Sequence, residues 1–190
     1  MKDKSCLVVV DMINGFVKEG ALSDQSIQRI IPSVKSLIEK YIKEDGTIIS
    51  FQDAHEEDAQ EFNTFPIHCV KGSIESDLIE ELKPYEKEMI PLYKNSTNGF
   101  MQPEFLGLFQ RLDCNDYVIV GCCTDICVLQ FALSLQGYIN EHNLNCRVKV
   151  VEDAVETFNT DVHNQASCNA NAFQLLKSAG IALVKTKEIL

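Results

Sequence analysis

Short β-branched apolar runs alternate with longer amphipathic stretches along this chain. Residues 6–10 (CLVVV), 47–51 (TIISF), 117–120 (YVIV), 147–151 (RVKVV) and 181–184 (IALV) read as buried strands. Residues 88–93 (EMIPLY) are a weaker strand candidate, because Pro91 has no N–H to give to a ladder. The stretches between them have helical spacing. In 28–43, Ile30, Ile31, Val34, Leu37, Ile38, Tyr41 and Ile42 return to one face every three to four residues. Residues 103–112, 124–137 and 164–179 fit the same template, and Gly180 is a stop signal for the last. Continuous apolar strands separated by helices predict a parallel sheet covered on both faces, with right-handed crossovers. One stretch breaks the rhythm. Residues 53–73 have no period and carry two of the four histidines. A loop of that length inside a compact domain is usually functional. No repeat or linker interrupts the pattern, so 1–190 is expected to form a single domain.

Composition narrows the function without defining it. With 190 residues, 45% hydrophobic and 24% charged, the chain has the balance of a soluble globular domain, which excludes a disordered or fibrous protein. A net charge of −11 repels phosphate backbones and anionic lipid, so neither nucleic acid nor membrane is an expected partner. The apolar run 6–10 ends at Asp11, too short for a signal segment or a membrane span. The eight cysteines lie mostly inside apolar runs. Without an export signal they predict reduced thiols in a cytoplasmic protein rather than a disulfide framework.

The polar residues that follow the strands carry the chemistry. In open parallel sheets, ligands bind beyond the carboxyl ends of the strands. Asp11 follows the first run, and Asp53 with His55 follows the second. Lys94 follows the third, and 121–127 (GCCTDIC) follows the fourth and opens a helix. Each is ordinary alone: Asp11 as a cap or turn acid, Lys94 as a solvated lysine, Cys127 as core packing. Brought to one edge they offer a carboxylate able to take a proton, an ammonium to balance charge, and a thiol. Cys127 falls in the first turn of its helix, where free N–H groups lower a thiol pKa and can hold an oxyanion. Asp53, His55 and His68 have the chemistry of a metal site for Zn, Fe or Mn, with Glu61 as an additional oxygen. Glu56, Glu57 and Asp58 read as a solvated acidic edge, and Cys69 as buried. His142 and His163 have no spaced partners and read as ordinary histidines.

Taken together these segments resemble the isochorismatase-like cysteine hydrolases, and within them the nicotinamidases and pyrazinamidases. Residues 8–16 (VVVDMINGF) are similar to the family's first strand and catalytic aspartate. Residues 53–55 (DAH) and 65–73 (FPIHCVKGS) are similar to the nicotinamidase metal segment. Lys94 with Phe100 resembles the lysine segment, and 121–128 (GCCTDICV) resembles the nucleophile motif. The resemblance implies a six-stranded parallel sheet in a three-layer α/β fold. It also implies a triad of Asp11, Lys94 and Cys127, and a cis peptide before Cys123 that sets the N–H groups of Cys123 and Cys127 as an oxyanion hole. Phe16 would pack against the substrate ring. One divalent ion would be bound by Asp53, His55 and His68, with Glu61 resembling a ligand found in only some members. The implied reaction is hydrolysis of nicotinamide to nicotinate and ammonia, within NAD salvage, by an enzyme expected to form a homo-oligomer. Ile13, the Cys122–Cys123 pair and residues 96–99 (STNG) depart from the usual pattern, so another amide, a ureido compound or a vinyl ether stays open as the substrate. A non-catalytic metal-binding or thiol-redox protein using Cys122, Cys123 and Cys127 is the alternative from another class.

Overall fold

The computed structural model describes residues 4–190. Six strands form one parallel sheet in the order β3-β2-β1-β4-β5-β6. They are β1 (Ser5–Val10), β2 (Thr47–Asp53), β3 (Ile90–Lys94), β4 (Asp116–Cys122), β5 (Arg147–Glu156) and β6 (Ala182–Val184). The helices are α1 (Asn14–Val17), α2 (Ile31–Lys43), α3 (Phe105–Arg111), α4 (Leu129–Glu141), α5 (Gln165–Ser178) and α6 (Thr186–Ile189). None of the described helices is long and apolar enough to cross a membrane. All eight cysteines are unpaired thiols.

Alternation along β1 divides the core. Leu7 and Val9 join Ile48 and Val118 beneath Val34, Leu37 and Ile38 of α2. Cys6, Val8 and Val10 face the other way, onto Phe105 and Phe109 of α3, Phe131 and Leu135 of α4 and Leu176 of α5. The central strands β1, β2 and β4 are therefore buried on both faces, which is why they read as near-continuous apolar runs. Each fully buried Leu or Phe contributes about 1.5–3 kcal/mol by leaving water.

The weak third strand is real and lies at the sheet's edge, pairing only with β2. An edge strand is where a proline is tolerated, because one side of its ladder is unused. Three boundaries differ from the sequence pattern by more than an end residue or two. The helix expected over 28–43 is a 3-10 turn (Gln25–Ile30) followed by α2, with Pro32 in its first turn. The helix expected over 124–137 begins with a π turn, Thr124–Val128, and α4 runs on past Gly137. Finally, β5 continues to Glu156 rather than ending at Val151, through an irregularity in its pairing with β4.

β1 sits between β2 and β4, so the chain leaves it in opposite directions on its two sides, and a crevice opens at the carboxyl ends of the central strands. Register keeps these ends level: Val10 lies opposite both Phe51 and Gly121, and Asp53 lies opposite Lys94. Gly121 allows the closest approach. Its φ is +112°, and a Cβ there would stand 2.0 Å from the Val10 carbonyl oxygen. Gly121→Ala is expected to destabilise the protein by about 3 kcal/mol or more, read as a lower urea midpoint, since it combines backbone strain with a clash against β1.

Candidate active site

The four strand ends deliver their polar groups to one buried cluster. Asp11, the first residue past β1, has a left-handed backbone with φ +49°. Its N–H donates to the Phe51 carbonyl at 2.9 Å, and its Oδ1 accepts from the Asp53 N–H at 3.0 Å. A non-glycine residue in this conformation is held by its surroundings, and such strain gathers at functional sites. Lys94 ends β3 with its side chain 1% exposed. Its Nζ lies 2.8 Å from Asp11 Oδ2, donates to Asp53 Oδ1 and to the Ser96 carbonyl, and stands 3.9 Å from Cys127 Sγ. One ammonium thus serves two carboxylates and a thiol, all buried.

Burial raises Asp11 to a pKa of about 7, aided by the charge of Asp53, with Lys94 opposing. Asp53 goes the other way: against its burial, Lys94 and His55 hold it below the usual carboxylate range. The two acids differ because Asp53 is shared between two cationic partners, so Asp11 is the one poised to exchange a proton near neutrality.

Cys127 corrects an expectation. Its position at a helix start suggested a lowered pKa, yet burial pushes the thiol well up, Asp11 and Asp53 add to the rise, and only Lys94 opposes. The physical reason is the surroundings: Cys127 is 4% exposed and faces two carboxylates. The proton therefore rests on sulfur until a base removes it. The turn that carries Cys127 is a π turn, closed by the Val128 N–H on the Cys123 carbonyl at 3.1 Å. Such turns recur at functional sites because they displace side chains from the regular helical positions. The Cys122–Cys123 peptide is cis, in agreement with the resemblance. Cys122 Sγ donates to the Asp11 carbonyl at 3.0 Å.

The loop after β2 is ordered by returning to its own start. His55 N–H donates to the Cys69 carbonyl and Lys71 N–H to the His55 carbonyl, both at 2.9 Å. This brings His68 to His55, and donor atoms of Asp53, His55 and His68 lie within 4.8 Å of one another, a group able to hold a metal ion. His55 Nε2 is 3.6 Å from Asp53 Oδ2 and 3.5 Å from Glu61 Oε2. The donor set fits a divalent cation. Both ring nitrogens of His55 and Oε2 of Glu61 are buried without a hydrogen-bond partner. His68 Nδ1 is engaged by the Pro66 carbonyl at 2.8 Å, which fixes the ring and leaves Nε2 for a ligand. Burial holds His68 below its ordinary pKa, the neutral form a ligand needs. Glu61 Oε1 accepts from the Thr97 N–H, so the lysine segment steadies this loop.

Between the thiol and the metal-ligand group lies a small pocket, lined by Phe16, Phe65, His68, Ile126, Cys127 and Phe158 among others. Phe16 lines this pocket, 5.8 Å from the His68 ring. Phe158 was not foreseen. It follows β5, and the same rule of looking past each strand finds it once that strand is traced to Glu156. His163, which has no spaced partner in the sequence, pairs with Asp125 on the turn that carries Cys127.

The family model described as the isochorismatase domain matches residues 5–180, nearly the whole described chain. The chain belongs to the isochorismatase family. Nicotinamidase 1 of Arabidopsis thaliana is similar, at 27% identity over 94% of this chain and 81% of that protein. Two solved structures share the fold. The N-carbamoylsarcosine amidase of Thermoplasma acidophilum superposes with a TM-score of 0.80 at 24% identity, covering 96% of each chain. The pyrazinamidase of Pyrococcus horikoshii, crystallised in complex with zinc, gives 0.77 at 24% identity, covering 96% of this chain and 99% of that one. The protein is thus an isochorismatase-family hydrolase with a buried carboxylate–lysine–thiol cluster.

That cluster makes a prediction independent of substrate. In metal-free protein, alkylation of Cys127 by iodoacetamide should rise with pH through about 7, as Asp11 loses its proton and becomes able to take that of the thiol. Asp11→Asn should remove this step and leave only a rise at higher pH. Rates followed by peptide mass spectrometry would check it, and an unchanged profile in the variant would assign the step elsewhere.

Proposed function

We propose that the protein is a metal-dependent cysteine amidohydrolase that converts nicotinamide to nicotinate and ammonia through a Cys127 thioester. The observation that carries this reading is one pocket lined both by Cys127, which Lys94 joins to Asp11, and by Asp53 and His68 of the metal-ligand group. An acid–base–nucleophile set suits acyl transfer, and a cation beside it suits a substrate with a basic ring nitrogen.

Asp11 takes the proton from Cys127 Sγ, and the sulfur attacks the amide carbon. Lys94 balances the charge that has moved. The backbone N–H groups of Cys123 and Cys127 receive the oxyanion, each such donor being worth about 3 kcal/mol in comparable sites. Asp11 then passes its proton to the amide nitrogen, the C–N bond breaks and ammonia leaves. A water gives a proton to Asp11 and attacks the thioester, which frees nicotinate, and the proton returns to Cys127. Phe16 packs against the ring. Asp53, His55 and His68, with Glu61 as a fourth ligand, would hold one divalent ion, whose Lewis acidity would anchor the pyridine nitrogen. The product would enter NAD salvage.

The test is ammonia release from nicotinamide by the purified, metal-loaded protein. Wild type should turn over, and Cys127→Ala should lose turnover by about a thousand-fold or more with the fold intact by circular dichroism. No release, with Cys127 still alkylated as above, would keep the hydrolase chemistry and move the substrate to another amide or ureido compound. His68→Ala should lower the metal content of the purified protein by about ten-fold or more, measured by elemental analysis, and an unchanged content would remove His68 from the ligand set.

A further inference from the structure

The Phe158 wall of the pocket is held by a residue outside it. The His163 ring stacks on Phe158 with centroids 4.0 Å apart and planes inclined by 20°. Its Nδ1 lies 3.0 Å from the Phe158 carbonyl oxygen, and its Nε2 lies 2.7 Å from Asp125 Oδ2. Each ring nitrogen faces an oxygen acceptor, so the imidazole bridges the Phe158 carbonyl and the Asp125 carboxylate. Asp125 belongs to the π turn that carries Cys127. The segment around His163 otherwise reaches solvent, with Val162 97% exposed, whereas the His163 and Asp125 side chains are only 19% and 17% exposed. A half-buried ring stacked on the back of a pocket wall, and bonded to the turn that bears the nucleophile, couples two parts of the site that come from different strands.

We propose that His163 is a positioning residue that sets Phe158 as a flat wall for a planar aromatic substrate and fixes that wall relative to the Cys127 turn. This rests on the reading above that the pocket is the substrate site, and it deepens that reading by assigning selectivity for a ring to the Phe158–His163 stack. His163 touches no reacting atom. Its loss should therefore change which molecules reach Cys127 more than how fast the thiol reacts.

The experiment compares two electrophiles with the same reactive group, iodoacetamide and its N-phenyl derivative, and takes the ratio of their rates at Cys127 by peptide mass spectrometry. Wild type should favour the phenyl reagent. His163→Ala should lower that preference about five-fold, the size of one aromatic contact, while the iodoacetamide rate stays within about two-fold. His163→Gln, which keeps a polar side chain in place, should lower it in the same direction and covers the case in which the alanine variant fails to fold. In a Phe158→Ala background, the effect of His163→Ala should disappear, because the two residues act through one wall. The proposal is overturned by a wild type with no preference for the phenyl reagent, by a ratio that neither His163 variant changes, or by a His163 effect that persists without Phe158. It is also overturned if both rates fall together with the melting temperature, as a purely structural role requires. The ratio does not involve nicotinamide. Ammonia release with an unchanged ratio would remove only the role of His163, and a lowered ratio without ammonia release would remove only the substrate.

Discussion

The Lys94 ammonium is the interaction on which the site depends. It is buried at the end of the edge strand β3, between Asp11 from β1 and Asp53 from β2. Two carboxylates at this depth repel each other and resist leaving water, and one cation cannot neutralise both. The remaining imbalance falls on Asp11, whose affinity for a proton rises to neutrality while Asp53 stays ionised. A proton acceptor of suitable strength thus arises from packing three parallel strands with level ends. A truncated Lys94 side chain would leave two uncompensated anions in a dry site, which costs far more than the hydrogen bonds it makes.

Asp53 links that balance to the histidines. One of its oxygens accepts from Lys94 while the other faces His55. The carboxylates of Asp53 and Glu61 push His55 up despite its burial. The loop therefore holds more negative charge than its cations offset, and a bound dication would relieve it. The acid–base chemistry and the metal-ligand group are in this sense one electrostatic unit with Asp53 as the shared member.

The thiol is placed by backbone rather than by charge. Gly121 lets β4 press against β1, and the π turn that follows sets Cys127 within reach of Lys94 while Cys122 points to the Asp11 carbonyl. Of the three neighbouring cysteines 122, 123 and 127, only two, Cys123 and Cys127, line the pocket. The side of the pocket formed by Phe158 depends on how far β5 runs and on the contact of His163 with this same turn.

Much of this was legible in the chain. Hydrophobic period is a local property, so the five clear strands, the helices and the polar residue after each strand could be read directly, and Pro91 already marked β3 as unusual. Position after a strand was enough to pick out Asp11, Asp53, His55, Lys94 and Cys127, because a parallel sheet brings all its carboxyl ends to one edge. What the chain did not disclose depends on distant partners. The pairing irregularity that carries β5 to Glu156 arises against β4, and without it Phe158 does not count as a strand-end residue. The partner of His163 is 38 residues away, so no spacing rule could find it. The protonation of Cys127 inverted the local expectation: a helix start favours a thiolate, but burial beside two carboxylates outweighs it. Local order is written in nearest neighbours, whereas desolvation and charge are summed over whatever the fold brings close, and only the tertiary structure decides that sum.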